Sequence, residues 1–534
     1  TVVNWEGMQV NSNMNGTVDF SLLPSFFINN VLINYGDGAV GVGNAAVGGS
    51  IQTGSKLKFK EQNSITALMS AGSFGNYSGG LGYLLGSKKW VSNTKVFVQS
   101  ARNNFKYNNK FKVGAPEDRI SHNALQQFGA LQQFGYSWKR QYLKVSAMAL
   151  QSERELANVA TLSPDEIQED KSFRTSLKYN NYLNNNWSLH SMIGYTNEFL
   201  RYHDPGIEDS KYHVNSITTR IGLSKEFKLS AINLELYSQN QKAKSSNYAS
   251  DPNREEHNIS LALNKEFFSK LFLKTAVRGT LFKGEVLPLN FGQIISYSVH
   301  KNIRMNASIN SIYRLPTFNE LYWHKGGNVN LKPEKGWKQD LGIQASLNKF
   351  NADLAAFNIE VEDWLIWLPN GSLWSPQNIR SVQSRGLEAS ASQGFEFGNI
   401  GGSIKGTYSY TKTINKEVEA GNENILNKQL INVPVHKSSV VMTLMKGDWV
   451  LTSFLNYTGE RFRTSDNSKE MEPYLLFSIG LSRSFKIKKT TGNLALSARN
   501  LLNNKYEILE GMPVPGSSVW FKLKININNK TNKK

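Results

Sequence analysis

The feature that most constrains this chain is a two-residue rhythm of apolar and polar side chains that recurs along nearly its whole length. Between Asn493 and Asn500, Leu494, Leu496 and Ala498 fall on one face and Ala495, Ser497 and Arg499 on the other, and Ile259, Leu261 and Leu263 alternate in the same way. Such segments are strands with one apolar and one polar face. No helical period is sustained anywhere, and the acidic piece from Ser163 to Lys171 reads as at most a short loop helix. The pentapeptide LQQFG occurs at Leu125 and again at Leu131, a step of six. An even step returns every side chain to its original sheet face, so the repeat lengthens a strand without inverting it.

The connections alternate as well. A short Gly-Lys-rich link joins Leu81–Leu85 to Val96–Val98, and Lys446, Gly447 and Asp448 join Val440–Met445 to Trp449–Asn456. Long polar connections run from Asn103 to Ser121, Arg201 to His213, Gln241 to His257, Leu368 to Val382, Thr413 to Val433 and Thr458 to Pro473. Short turns at one end and long loops at the other are the mark of an antiparallel membrane barrel, an asymmetry that a sandwich or propeller does not need. Mean hydropathy is −0.41, and no apolar run is long enough for a membrane helix. A transmembrane barrel is compatible with that, because its alternating strands average out as polar.

One stretch breaks the rhythm. Leu32 to Thr53, LINYGDGAVGVGNAAVGGSIQT, holds six glycines and no large side chain between Tyr35 and Ile51. Glycine suits close approach of another backbone. The scarcity of Ser and charge, with Val40, Val42 and Val47 spaced as buried β residues, separates the stretch from a flexible linker. No Lys-Ser or Lys-Thr follows the glycines, which argues against a phosphate loop. Cysteine is absent, so disulfides, thiolate metal sites and a Cys nucleophile are excluded together. The net charge of +19 comes from 61 basic and 42 acidic side chains. The lysines are spread rather than clustered, unlike a nucleic-acid footprint; they fit a surface and lumen facing anionic headgroups or solutes, with compositional bias toward Asn and Lys as the alternative.

Four segments carry a family resemblance. Val18 to Thr53 resembles the last part of the plug domain of TonB-dependent outer-membrane receptors, and Tyr313 to Gly336, YRLPTFNELYWHKGGNVNLKPEKG, is similar to that family's Arg-x-Pro-Thr-Phe-x-Glu-Leu-Tyr and Gly-Asn-x-x-Leu-Lys-Pro-Glu segment. Arg385-Gly386-Leu387-Glu388 resembles its recurrent Arg-Gly-Glu strand, and Asn500 to Ser518 its closing segment, with Pro515-Gly516-Ser517 where Pro-Gly-Arg is usual. WEGMQVN at Trp5, Ile431-Asn432-Val433-Pro434 and the run from Tyr457 to Phe462 lean toward the cobalamin and siderophore branch. The resemblance implies an all-β fold, a transmembrane antiparallel barrel of about 22 strands, with residues 1–55 as a partial plug in the lumen and 56–534 as the barrel. It further implies plug-to-wall packing through Tyr35, Gly36, Gly48, Gly49 and Ile51, a Gram-negative outer-membrane location among lipid and lipopolysaccharide, a monomeric barrel, and energisation by the TonB-ExbB-ExbD complex. Family plugs are more than twice as long, and the TonB box has no counterpart here, so the chain as given is expected to lack energised uptake and to occlude its bore only in part. The last strand also departs from the family by not ending on an aromatic.

The resemblance implies a receptor and active transporter for a scarce bulky nutrient such as cobalamin or a ferric siderophore. Large rigid aromatics bind such ligands at low entropic cost, and Tyr322, Trp323, His324, Trp367 and Trp374 are the candidates. For Trp364 and Trp367 an interfacial aromatic belt is the alternative. No His-x-x-x-His pair or Gly-x-Ser-x-Gly turn announces an enzyme, and no cofactor is expected. Asp204, Glu208 and Asp209 beside His203 form a weak Ca²⁺ candidate, with a solvated loop as the plainer reading. The rival functions are a passive channel or porin, which has no reason to carry the glycine-dense stretch, and an adhesin or enzyme built on a barrel.

Overall fold

The computed structural model describes residues 1–34, 48–157, 165–370, 373–418, 421 and 423–529. From Gln62–Gly72 to Ser518–Asn528, 22 antiparallel strands pair in sequence order. The last pairs with the first, Trp520 standing opposite Gly72. Closure leaves the wall without an edge strand, the condition for crossing hydrocarbon with strands.

The alternation sorts side chains as the sequence requires. Both LQQFG copies lie in the single strand Leu125–Trp138. Phe128 and Phe134 face outward, 54% and 42% exposed, whereas Gln127, Leu131 and Gln133 are buried inward. Turns such as 139–140, 348–349 and 447–448 gather at one end, and connections 102–124, 315–333, 418–435 and 459–473 at the other. Three expected loops are largely strand instead, Gln241 to His257 among them, since the strands Ser230–Ser245 and Asn253–Phe267 leave only 246–252 between them. Leu368 to Val382 belongs to a hairpin of Phe350–Asn370 and Leu373–Phe397, 21 and 25 residues long, and most of Arg201 to His213 extends the pair Trp187–His203 and Ser210–Glu226. About 9 to 11 residues cross a bilayer, so these ladders continue into water, where polar residues suit both faces. The expected loop helix gives way to the strand Ile167–Tyr182, fully registered against Gln141–Glu155.

The N-terminal strands Val2–Trp5, Met8–Gln9, Asn30–Asn34 and Ser50–Gly54 form a separate four-stranded sheet. Its apolar residues pack on the inner wall: Val3, Trp5, Met8, Val10, Leu23 and Phe27 form one buried cluster with wall residues Phe97, Leu131, Met148 and Met192. Burying a side chain of this kind contributes about 1.5–3 kcal/mol. Gly194 makes the contact possible, because a Cβ there would collide with the Met8 sulfur. Tyr35 and Gly36 lie outside the described residues; of the described three, Gly48 and Gly49 adjoin Thr1 and Val2 at the edge of their own sheet, and Ile51 packs against the buried cluster. Val31, Leu32 and Ile33 are about half exposed, at 55%, 54% and 48%.

A polar centre reinforces this packing. Glu6 and Gly7, both at positive φ, make the two-residue hairpin turn that joins Val2–Trp5 to Met8–Gln9. At its tip Glu6 Oε1 lies 2.7 Å from Lys144 Nζ and accepts from Ser55 N at 2.9 Å and Gln133 Nε2 at 3.3 Å, while Oε2 lies 2.9 Å from Lys178 Nζ. Burial pushes the Glu6 carboxyl up, but Lys178 and Lys144 outweigh it and hold it below the ordinary glutamate value. A depressed folded value stabilises the fold above the unfolded pKa, and that stabilisation is lost as pH falls through the folded one. Further tethers run from Lys95 Nζ to Phe26 O at 2.7 Å, Gln127 Nε2 to Ser21 O at 2.8 Å, Arg220 Nε to Gly7 O at 3.2 Å and Gln241 Nε2 to Asn13 Oδ1 at 2.5 Å. Beside Phe26 a cavity of about 300 Å³ lies along the closing strands of the wall, lined by Lys95, Lys522 and Lys524.

Because the chain has no native cysteine, its topology can be read by labelling. With the long-connection end outside the cell, a membrane-impermeant thiol reagent applied to intact cells labels Ser465→Cys and leaves Asp448→Cys unlabelled. The reverse pattern would invert the barrel.

Candidate functional site

The segment from Arg314 to Glu334 folds against the N-terminal segment at Asn13 to Gly16. Pro316 removes a ladder amide and ends the strand Ile303–Arg314. Thr317 then caps the helix Phe318–Tyr322 in a reciprocal box, Thr317 N donating to Glu320 Oε2 at 2.6 Å and Glu320 N to Thr317 Oγ1 at 3.4 Å. Arg314 binds Glu320 through three guanidinium contacts of 3.2–3.3 Å and Glu334 Oε1 at 2.7 Å. Glu334 also accepts from Leu365 N at 2.9 Å. One cation thus fixes the strand end, the helix and the returning strand. The helix in turn holds the N-terminal segment, Phe318 N donating to Asn13 O at 3.1 Å and Asn319 N to Met14 O at 3.0 Å. Phe318 is fully buried beneath the Arg254 guanidinium, 4.6 Å from its ring centre.

Above this lock the structure brings most of the candidate aromatics together. Tyr322 packs against Phe318 and Tyr248 with the Lys283 ammonium 5.1 Å over its ring. Trp323 meets Trp367 edge to face at 5.4 Å. Gly326 approaches the Trp374 backbone so closely that a Cβ there would strike its carbonyl, and Ser375 Oγ donates to Gly326 O at 2.9 Å. Trp374 is 56% exposed. His324 is exposed and pinned by its backbone N to Asn247 O at 2.9 Å. Strand alternation separates the two remaining candidates: Leu365 and Trp367 turn toward the Leu321, Leu331 and Trp323 side, so Trp364 faces the other way. The arrangement is an apolar, half-exposed aromatic platform at the long-connection end, seated on a rigid base.

The acidic candidates do not converge. Asp209 Oδ1 lies 2.7 Å from His203 Nδ1, and Asp204 Oδ1 accepts from Gly206 N at 3.1 Å. The His203 hydrogen bond holds the Asp209 carboxyl below its usual value. Among the described residues no three His, Asp or Glu side chains form a cation-holding group. Sequence reasoning missed Glu6 and Arg254. Glu6 carried a readable sign, an acidic residue beside glycine in a two-residue turn between apolar residues; Arg254 carried none.

Removing one partner of a buried ion cluster costs on the order of 3–5 kcal/mol locally. Arg314→Met is therefore expected to open the connection to trypsin at the exposed Lys325 and Lys332 in a barrel that still shifts on heating in gel electrophoresis. Cleavage at the wild-type rate would contradict the role given to Arg314.

Comparison with known proteins agrees with this architecture. The family described as "TonB dependent receptor-like, beta-barrel" matches residues 63–501. The vitamin B12 transporter BtuB of Vibrio vulnificus strain YJ016 is 31% identical over 205 residues, 38% of this chain and 30% of that protein, so the match spans under a third of the relative. Among solved structures, the copper transporter OprC superposes with a TM-score of 0.80 at 14% identity, covering 99% of this chain and 90% of the other. The FrpB iron transporter from Neisseria meningitidis gives 0.79 at 13% identity, covering 99% and 91%. These two likenesses establish the fold, and the family match over most of its length establishes the rest: the chain belongs to the TonB-dependent receptor β-barrel family.

Proposed function

We propose that this protein is a Gram-negative outer-membrane receptor and active transporter for a scarce, bulky nutrient of the cobalamin or ferric-siderophore class, driven by the TonB-ExbB-ExbD complex. In this reading residues 1–55 are the lumenal plug portion and residues 56–534 the transporting wall. The observation that carries it is the position of the aromatic platform: Tyr322 ends the helix whose first amides grip Asn13 and Met14 of the lumenal segment, Trp323 and Trp367 meet edge to face next to it, and the Trp374 backbone abuts Gly326. A ligand resting on the rings therefore presses on the element that holds that segment. The segment is tied to the wall by exchangeable ion pairs and hydrogen bonds as well as apolar contacts, which suits a bore that opens on demand better than a permanent pore. The partial match to a vitamin B12 transporter favours cobalamin over the siderophore alternative.

Titration of the purified protein with cyanocobalamin and, separately, a ferric catecholate siderophore, read by quenching of tryptophan fluorescence, tests this reading. One of the two is expected to bind saturably. Trp374→Ala should weaken that binding at least tenfold, about 1.4 kcal/mol. Binding of neither, or an unchanged affinity in Trp374→Ala, would overturn the platform as the binding site.

A further inference from the structure

The cavity beside Phe26 carries a charge pattern that the aromatic platform does not use. Across the closing strands of the wall Asn526, Thr66, Gly82 and Lys95 fall in one transverse row, each registered on the next. The row faces the lumen, because Lys95 Nζ donates to Phe26 O at 2.7 Å and Asn29 Oδ1 at 3.0 Å, and Thr66 Oγ1 donates to Asn526 Oδ1 at 3.2 Å. Alternation along Ser518–Asn528 turns Lys522 and Lys524 to the same side as Asn526 and leaves Phe521, 43% exposed, on the other. Glycine at position 82 keeps the floor open: a Cβ there would meet nothing nearer than Lys95 Cγ at 3.5 Å. The cavity lies in the half of the wall nearer the short turns, whereas the platform stands at the long-connection end.

Three ammonium groups line this space and no Asp or Glu does. Lys95 and Lys524 are close enough to repel each other, and among the described residues no carboxylate pairs with either of them or with Lys522. The same lumenal segment treats wall lysines differently elsewhere, placing its own Glu6 2.7 Å from Lys144 and 2.9 Å from Lys178. A cleft lined by one sign of charge focuses its field on a counter-ion. The polar lining between the lysines is hydroxyl and amide, Ser64, Thr66, Asn93 and Asn526, groups that can donate to an oxyanion. A volume of about 300 Å³ is at the lower limit of ligand pockets. It therefore suits a small anion and not the bulky nutrient, and three cations call for more than one negative charge.

We propose that this cavity is a lumenal binding site for a small oxyanion of two or more negative charges, a polycarboxylate or a phosphate, whose oxygens pair with Lys95, Lys522 and Lys524 and accept from the hydroxyls and amides between them. The site is separate from the platform and does not depend on the identity of the nutrient. Isothermal titration calorimetry of the detergent-purified protein at low ionic strength, with tricarballylate and separately with inorganic phosphate, provides the test. At least one is expected to bind saturably, and the tighter of the two identifies the oxyanion as carboxylate or phosphate. Lys522→Gln/Lys524→Gln should lose at least tenfold in affinity. Gly82→Leu keeps all three charges but fills the floor; it should weaken binding about fivefold and serves if the lysine pair does not fold. The control Lys405→Gln/Lys437→Gln, which removes the same charge from the strands Ile400–Glu417 and His436–Lys446, should bind as wild type. Saturable binding of neither anion, wild-type affinity in either cavity variant, equal loss in the control, or displacement by an equal concentration of chloride would overturn the proposal. Fluorescence quenching by the nutrient should be unchanged in the cavity variants, so failure of that reading and failure of this one are separable.

Discussion

Closure of the ladder between Ser518–Asn528 and Gln62–Gly72 is the constraint on which the rest of the structure depends. In hydrocarbon an unpaired amide costs several kcal/mol, so the wall has to run without an edge. A ring of 22 strands then surrounds a lumen far wider than its own side chains can fill. What enters that space has to satisfy a polar inner wall as well as bury its own apolar side. The N-terminal sheet does both, with Trp5, Met8 and Phe27 against an apolar patch of wall and Glu6 between two wall ammonium groups.

The two anchors differ in kind. The apolar patch is non-directional and keeps its strength across pH. The Glu6 centre is directional, almost sealed from solvent, and depends on the carboxylate being charged. A buried ion cluster is weak evidence for net stability and stronger evidence for a defined position. The same logic holds at the long-connection end, where Arg314 joins Glu320 and Glu334 and sets the helix whose amides reach Asn13 and Met14. The lumenal segment is thus positioned from both ends by charge and held between them by apolar contact.

Much of this was legible in the sequence. The period of two, the even step between the LQQFG copies and the alternating short and long connections specify a membrane barrel, because each depends only on local spacing. The Leu368 to Val382 segment misled because polarity signals water, and water is equally present around a strand that extends beyond the membrane. The motif around Pro316 was recognisable, but its work was not: Arg314 and Glu334 are twenty residues apart and meet only after the connection has folded. Trp364 and Trp367 looked equivalent in sequence and were separated by strand parity. Val31, Leu32 and Ile33 are the converse case, apolar by composition yet about half exposed in the bore.

That the lumenal segment is positioned by the Glu6 centre is tested most directly by hydrogen exchange. In the intact protein at neutral pH, Glu6→Gln removes the charge while keeping the shape, and leaves Lys144 and Lys178 without their counter-ion. Amides of Val2–Trp5 and Ser50–Gly54 are expected to exchange at least tenfold faster than in wild type, with the wall strand Leu125–Trp138 unchanged. Wild-type protection of those two strands in Glu6→Gln would contradict the role assigned to Glu6 and leave apolar packing as the sole anchor.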